Sequence, residues 1–352
     1  MIFNLIVFVF VFGLLLIPHE LGHFLCARHE GIRVERFSIG FGPPLFRFRW
    51  KDTLFLVCLI PLGGYVKMAG DERDKCQGKD DEFFSKSVGR RAKVVFCGPL
   101  ANIVLGFFIF WLVFMIGVPS LKPIVGKVLK DYPAYKAGIK ENDYIISIND
   151  KKVEDWMEVS NLIKKSRTEK IKVTVLRDGK KEDIFVLAQK KEIRNIFGRT
   201  HSYPFIGIAP SSQFRIIRYG PFSAFLKSLE KVGYLIFLLF KSIIFILLGI
   251  LPFKEAVAGP LGIYQITSQI AHQGFLPLLD AIGVLSVILA TINLFPIPVL
   301  DGGYLFFFLV EKIRRRPLSE KIENLVTQIG LVLLIILFLL ATYSDILRIW
   351  KR

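Results

Sequence analysis

Four apolar runs without a charged side chain constrain the fold of this chain more than any other feature. They comprise residues 1–18, 94–118, 281–300 and 325–344, and each is near the roughly 20 residues that a helix needs to cross a bilayer. The mean hydropathy of +0.49 and the hydrophobic fraction of 53% are also above those of ordinary soluble proteins. The sequence therefore predicts a polytopic α-helical membrane protein with about four transmembrane helices.

The distribution of basic residues predicts the topology of those helices. The formal net charge is +17, and clusters of Lys and Arg lie in the loops that join the first run to the second and the third run to the fourth. By the positive-inside rule both loops face the cytoplasm, which places the long polar region between the second and third runs on the outer side. The basic residues follow no nucleic-acid-binding pattern, so we expect membrane lipid, and no nucleic acid, as a partner.

A cleaved signal peptide is an alternative interpretation of the first run. Such peptides begin with basic residues and end in a small-residue cleavage site. The chain instead begins MIFN and shows no such site. We therefore expect the first run to be retained as a membrane helix.

Residues 37–70 have the pattern of strands and turns rather than of a helix. LFRFRW alternates apolar and basic residues, Lys51 and Asp52 predict a turn, and TLFLVCLI is a β-branched and aromatic run. The segment is too apolar for an ordinary cytoplasmic loop. We expect a membrane-associated β-hairpin or small sheet whose backbone is shielded by protein or by a water-filled cavity.

The polar region between the second and third runs predicts a small domain that is mainly β. It contains the short strands PIVGKVL, DYIISIND, KIKVTVLRDG and KEDIFVLA and one helix, WMEVSNLIKKS, and the pair Asp178 and Gly179 is a strong hairpin signal. The phrase YPAYKAGIKENDYIISIND resembles a bacterial PDZ domain at Pro133, Ala134, Ala137, Gly138, Ile139, Asp143 and Ile145. We expect one inserted PDZ-like domain over residues 119–195, with a generic small β domain as the alternative.

Residues 221–253 are apolar enough to suggest a fifth span, but two features argue against it. An extra crossing would invert the third run and break the positive-inside pattern, and Lys241 lies in mid-segment. We expect a helix that lies along the membrane interface or packs on the bundle. The predicted organisation is a membrane part at 1–118, the PDZ-like domain at 119–195, a linker with amphipathic or membrane-associated helices at 196–275, and a second membrane part at 276–352.

The pentapeptide HELGH places His19, Glu20 and His23 at the end of the first apolar run. Histidines at i and i+4 share one face of a helix, so both imidazoles can reach one zinc ion while Glu20 takes a proton from the zinc-bound water. Polar groups in such apolar surroundings are costly unless something binds them. A structural pair of histidines is the alternative. Catalytic zinc also requires a third protein ligand.

Two residues are candidates for that third ligand, His29 and Asp301. HELGHFLCARH nearly spells the extended zincin pattern H-E-x-x-H-x-x-G-x-x-H, but Cys26 stands at the glycine position, which leaves His29 on another helix face. Asp301 ends LFPIPVLD, where Pro296 and Pro298 interrupt regular helix. A carboxylate at this depth needs a cation or another partner, so we favour Asp301. The alternative is that Asp301 only caps the next helix.

Three motifs carry a resemblance to a known family. HELGHFLCARHEGIRVERFSIGFGP, GPLANIVLG and NLFPIPVLDGG resemble motifs of the site-2 intramembrane metalloproteases of the bacterial RseP type, with the PDZ-like domain in the expected place. The resemblance covers nearly the whole chain. It implies that His19, His23 and Asp301 hold Zn²⁺, that Glu20 is the general base, and that Asn293 helps to position the substrate backbone.

The same resemblance implies how substrates bind. The strands around residues 54–68 would pair with an unwound substrate, with Gly63, Gly64 and Tyr65 as the candidate contact residues. The implied substrates are single-span membrane proteins, such as anti-sigma factors or remnant signal peptides, already cut on their outer face. The active site would lie near the cytoplasmic side of the bacterial inner membrane and the PDZ-like domain in the periplasm. RseP-type members with two tandem PDZ domains differ from this chain, which has room for one.

Two other classes of function remain as alternatives. A membrane PDZ scaffold with a vestigial site would bind partners without cutting them, but the intact HELGH motif and Asp301 speak against it. A zinc carrier would show polar positions in several successive spans, and the second and fourth runs have almost none. The sequence does not indicate an oligomeric state.

Overall fold

Two structural units make up the chain, and the computed structural model describes residues 2–166, 168–194 and 200–350. The first unit, called here the membrane unit, comprises Met1–Val113, Phe222–Leu247 and Pro252–Arg352. The second, called the β unit, comprises Phe114–Pro221 and Leu248–Leu251.

Helices account for most of the membrane unit. Among its described residues the β unit contains only the short helices α3 and α4, together with the end of α2 and the first residue of α5. In chain order the α-helices are α1 Ile2–His29, α2 Val88–Ile116, α3 Pro133–Lys136, α4 Trp156–Lys165, α5 Pro221–Leu247, α6 Phe253–Ala256, α7 Pro260–His272, α8 Phe275–Asn293, α9 Asp301–Arg314 and α10 Glu320–Trp350.

The strands fall into a long pair in the membrane unit and a set of shorter strands in the β unit. In chain order they are β1 Val34–Trp50, β2 Thr53–Met68, β3 Val118–Leu121, β4 Val125–Val128, β5 Tyr144–Ile148, β6 Lys151–Lys152, β7 Lys170–Arg177, β8 Lys180–Leu187, β9 Gln189–Arg194, β10 Thr200–Phe205, β11 Ile208–Pro210 and β12 Phe214–Ile217.

Four of the described helices, α1, α2, α8 and α10, are long and apolar enough to cross a membrane. They coincide with the four apolar runs, so the expectation of a membrane protein with about four spans and a β-rich domain is confirmed. The third of these candidate spans, α8, ends at Asn293 rather than at residue 300, where the third apolar run ends. Pro296 and Pro298 follow it, and two prolines this close together disfavour further helix, because each lacks a backbone N–H and its ring clashes with the preceding turn.

The apolar segment after the β unit forms α5, which is not among the four candidate spans. Four charged residues interrupt its apolar sequence: Lys227, Glu230, Lys231 and Lys241. α5 packs on α2 through Phe225 and Phe107, whose ring centroids are 5.1 Å apart.

Strands β1 and β2 form the predicted hairpin, with the turn at Lys51, whose φ is +51°. The hairpin folds back on itself and becomes a small sheet, because Phe55 pairs with both Phe37 and Phe48. The first part of β2 therefore lies between two parts of β1. The last part of β2 pairs with the first part of β1, as Val66 does with Phe37.

Aromatic contacts fix this sheet to α1. The ring of Phe24 lies 5.5 Å from that of Phe37 and 5.6 Å from that of Phe55, in edge-to-face geometry at both contacts. Phe24 directly follows His23 in α1, so the sheet is anchored beside the HELGH motif.

A four-stranded antiparallel sheet in the order β6-β5-β7-β8 forms the centre of the β unit. The predicted turn joins β7 to β8, and its residues Asp178 and Gly179 have φ angles of +48° and +79°, as a type I′ turn requires. The core between this sheet and α4 is aliphatic and includes Ile145, Ile148, Val159, Ile163, Ile171, Val173, Val175 and Val186.

The β unit extends beyond the boundary that the sequence predicted at residue 195. β11 pairs with β4, and β12 pairs with β3, both antiparallel. The segment expected to be linker thus returns to the start of the unit and completes it. Pairing between segments so distant in sequence leaves no local pattern, which explains the difference.

A buried ion pair connects α2 to α9 in the membrane unit. The guanidinium of Arg91 donates to both carboxylate oxygens of Glu311, at 2.7 and 3.1 Å. Arg73 approaches the same carboxylate at 3.3 Å. Burial alone would raise the pKa of Glu311, but the hydrogen bonds and charges of Arg91 and Arg73 outweigh it, and that pKa lies below its ordinary value.

Replacement of Glu311 with Ala is expected to destabilise the membrane unit by about 3–5 kcal/mol, because it leaves Arg91 buried without its partner. Thermal or denaturant unfolding in detergent measures the change. The matched control is Glu35→Ala, which removes a half-exposed partner of Arg33 and should cost at most about 1 kcal/mol. Equal, small effects of the two substitutions would contradict the role of the buried pair.

Candidate metal centre

Helix α1 continues through the HELGH motif and ends at His29. His19 and His23 therefore lie one turn apart on one face, and both are buried. Their Nε2 atoms are 3.3 Å apart. Two imidazole nitrogens that converge in this way inside an apolar helix bundle have the spacing of ligands to one cation.

A short loop between α8 and α9 brings Asp301 to these histidines. Leu300 occupies the N-cap and Asp301 is the first residue of α9, so the alternative that Asp301 is the cap does not describe the structure. A Cβ at Gly302 would overlap the carbonyl oxygen of Phe295, and one at Gly303 would lie 2.8 Å from Cα of Pro298. The two glycines therefore permit α9 to begin tightly against the loop, which sets the position of Asp301.

The three side chains form one cluster. Oδ2 of Asp301 lies 3.2 Å from Nε2 of His19 and 3.5 Å from Nε2 of His23, and all three candidate ligand atoms are within 4.8 Å of one another. Tetrahedral zinc with bonds of about 2.0–2.2 Å places its ligand atoms about 3.3–3.6 Å apart. The cluster has the donor types and the spacing of three zinc ligands.

The burial of the Asp301 carboxylate also fits a metal ligand. Oδ2 of Asp301 is inaccessible and makes no hydrogen bond within the described part of the chain. Its nearest polar neighbours are Nε2 of His19 and of His23, and a buried carboxylate without a well-formed hydrogen bond is costly unless a cation binds it. A divalent cation bound between Asp301 and the two histidines would remove that cost.

Helix α2 positions His23 in a way that the sequence did not reveal. Nδ1 of His23 lies 2.9 Å from the carbonyl oxygen of Val94, a partner that directs Nε2 toward the cluster. A Cβ at Gly98 would overlap Nε2 of His23, so only glycine leaves room for the ring. The glycine of the GPLAN segment was the available signal, but its partner could not be read from sequence.

Glu20 lies next to the cluster and is covered by strand β2. A Cβ at Gly64 would lie 3.0 Å from Cγ of Glu20, so the backbone of β2 approaches the glutamate side chain closely. Gly63 has a φ of +117°, and a Cβ at this position would overlap the ring of Phe41. The ring of Phe41 stacks on that of Tyr65, with the ring centroids 6.4 Å apart. Of the three predicted substrate-binding residues, Gly64 therefore lies against Glu20, and Gly63 and Tyr65 are its neighbours in β2.

Asn293 and His29 are the remaining two candidate residues, and they lie in different parts of the membrane unit. Asn293 is half-buried at the C-terminal end of α8, across the loop from Asp301. His29 is exposed at the end of α1 and is not part of the histidine–aspartate cluster. The geometry favours Asp301 over His29 as the third ligand.

Comparison with known proteins agrees with this chemistry. The family model described as peptidase family M50 matches residues 7–337. The chain belongs to peptidase family M50. The chain is also 30% identical to the regulator of sigma-W protease RasP of Bacillus subtilis, with 99% of both chains covered.

Two further relatives extend the comparison. The chain is 27% identical to the regulator of sigma-E protease RseP of Escherichia coli over 452 aligned positions, 100 more than its own 352 residues, and 99% of each protein is covered. It is also 27% identical to the zinc metalloprotease RasP of Oceanobacillus iheyensis, with 99% coverage of both. The resemblance to site-2 proteases is confirmed, and this M50 member is a zinc metalloprotease of the membrane.

Proposed function

We propose that this protein hydrolyses a peptide bond within or beside the membrane segment of a single-span membrane protein. His19, His23 and Asp301 hold the zinc ion, and Glu20 is the general base. The observation that carries the proposal is the spacing of 3.2–3.5 Å among the three ligand atoms, together with Glu20 on the same turn of α1.

The residues divide the chemistry between them. Bound zinc supplies Lewis acidity and lowers the pKa of a water molecule. The carboxylate of Glu20 would accept a proton from the attacking water and pass it to the leaving amine. The hydrogen bond from His23 to the Val94 carbonyl fixes the ring for metal binding. The helix bundle around the site limits the entry of bulk water.

Strand β2 is suited to hold an unwound substrate. A helix hides its peptide bonds behind its own hydrogen bonds, so a substrate helix must unwind before it is cut. Addition of the unwound segment along Gly63, Gly64 and Tyr65 replaces the lost bonds. The close approach of Gly64 to Glu20 brings such a segment to the general base. Asn293 contributes a further polar contact to the substrate backbone.

The orientation follows from the charged loops. We infer that the basic loops before α2 and after α9 face the cytoplasm of a bacterium, with the metal centre near the cytoplasmic side of the inner membrane and the β unit in the periplasm; the excess of Lys and Arg in these loops supports this orientation. Anti-sigma factors and remnant signal peptides, already shortened on the outer face, are the substrate classes that suit this arrangement.

The β unit is a single PDZ-like domain in this proposal. A cavity of about 240 Å³ lies between α4 and β10, lined by Trp156, Val159, Ser160, Ile163, Tyr203, Phe205 and Ile206 among others. A groove between a helix and a strand suits an extended peptide end.

Filling that groove should weaken peptide binding. We expect Ser160→Trp to lower the affinity of the full-length protein for an octapeptide with a free C-terminal Val by more than about 10-fold, because the indole occupies the cavity. Isothermal calorimetry in detergent measures it, with the exposed neighbour substitution Asn161→Trp as the control. Equal binding by both variants, or no binding by the wild type, would overturn the groove assignment.

Metal removal tests the proposed function itself. Purified protein in detergent should cut a single-span model substrate, lose this activity on dialysis against a chelator, and regain it with one equivalent of zinc. Cleavage that survives complete removal of the metal would show that the centre is not the active site.

A further inference from the structure

Asn102 is a buried polar residue in the middle of α2, and the proposed roles of Glu20 and the three metal ligands do not involve it. Its side chain has no exposed surface. Neither Oδ1 nor Nδ2 has a hydrogen-bond partner within the described part of the chain. A buried amide without partners is destabilising, because its polar groups have lost their hydrogen bonds to water and gained none in the protein. A residue with that cost in an apolar helix calls for a specific partner.

The packing of α2 on α1 places Asn102 at the level of His19. The helices run antiparallel, since His23 meets Val94 and Gly98 while Gly22 meets Cys97 and Ala101. His19 lies one turn before His23 in α1. Asn102 lies one turn after Gly98 in α2, so in this antiparallel pair it is level with His19.

Helix α8 contacts α2 at the same level. Oγ of Ser286 donates to the backbone carbonyl of Asn102 at 2.8 Å. A Cβ at Gly106 would lie 2.7 Å from Val287. Asn102 therefore lies where α1 and α8 both approach α2, and α8 leads into the loop that carries Asp301.

The two histidines of the cluster differ in their second ring nitrogen. Nδ1 of His23 has a partner, the carbonyl of Val94. Nδ1 of His19 is buried and has no partner within the described residues. Metal-binding histidines almost always donate their second N–H to an acceptor, which fixes the tautomer and the ring orientation. Among the residues that the structure describes, Nδ1 of His19 has no such acceptor, and the side chain of Asn102 carries one at the same level of the bundle.

We propose that Oδ1 of Asn102 accepts the Nδ1–H of His19, directly or through one bound water, when the metal is in place. The inference rests on the proposed function, because it takes His19 to be a metal ligand through Nε2. Asn102 is then a positioning residue: it acts on the metal through His19, as the Val94 carbonyl does through His23. The two ligands of α1 would both be oriented by α2, at positions two turns apart.

The test compares Asn102→Leu, which keeps the side-chain volume but removes the acceptor, with Asn102→Asp, which keeps an acceptor oxygen. Ser286→Ala is the control, since it removes the neighbouring hydrogen bond to the Asn102 backbone and leaves the Asn102 side chain. The zinc affinity of full-length protein in detergent is measured by competition with a chelator, and the visible absorption spectrum is recorded after cobalt substitution.

We expect Asn102→Leu to weaken zinc binding by about 10- to 100-fold and to alter the cobalt spectrum, while Asn102→Asp and Ser286→Ala remain within about 3-fold of the wild type. Unchanged zinc affinity and an unchanged spectrum in Asn102→Leu would overturn the inference, whatever happens to activity. If Asn102→Leu does not fold, Asn102→Ala is judged by the same two readouts. A wild type that binds zinc but cuts no substrate would instead contradict the proposed function.

Discussion

Glu20→Gln is expected to reduce substrate cleavage by about 10²- to 10⁴-fold while zinc remains bound. The amide has nearly the same shape as the carboxylate but cannot accept the proton of the attacking water, and general-base catalysis contributes about this factor. The side chain of Glu20 is not part of the three-ligand cluster, so metal content should stay at one equivalent. Cleavage of a single-span model substrate by purified protein in detergent, with zinc measured in the same samples, checks both statements.

Glu141→Gln is the matched control for this experiment. Glu141 is exposed in the β unit, and the same chemical change there should leave cleavage and zinc content unaltered. A Glu20→Gln variant that retains more than about a tenth of the wild-type rate would rule out Glu20 as the general base. A variant that loses both zinc and activity would indicate that Glu20 is a ligand instead.

Asp301→Ala is expected to lose both zinc and activity. The substitution removes the only carboxylate of the described cluster and leaves two histidines, one fewer than the three protein ligands that catalytic zinc requires. Loss of a group that only orients a ligand weakens binding by about 10- to 100-fold, so loss of a ligand itself should exceed about 100-fold. Chelator competition measures the zinc affinity, and the cleavage assay measures the activity.

His29→Ala serves as the control and as the competing hypothesis. Because His29 is exposed and stands apart from the cluster, its removal should leave zinc affinity within about 3-fold. The opposite pattern, with zinc retained in Asp301→Ala and lost in His29→Ala, would replace the proposed ligand set with that of the extended zincin pattern.

Much of the candidate site was predictable because its residues lie in short, specific segments. HELGH fixes two histidines on one helical face, and the prolines before Asp301 predicted the break that ends α8. The hairpin turn at Asp178 and Gly179 was also evident, since only residues that tolerate positive φ suit a two-residue loop. These features depend on residues that are neighbours in sequence.

Features that depend on distant segments could not be predicted. The pairing of β12 with β3 joins residues near 214 to residues near 121 and extends the β unit past residue 195. The ion pair of Arg91 with Glu311 connects two helices whose sequences give no sign of contact. The facing positions of Gly98 and His23 likewise appear only when α2 packs on α1. In each case tertiary packing, rather than local preference, selects the partner.

The most direct test of the central claim is to locate the metal in crystals of the zinc-loaded protein by anomalous scattering at the zinc absorption edge. The account predicts one peak, about 2.0–2.2 Å from Nε2 of His19, Nε2 of His23 and a carboxylate oxygen of Asp301. A peak bound by His29 without Asp301, or no peak at this cluster in protein that cuts its substrate, would contradict the account.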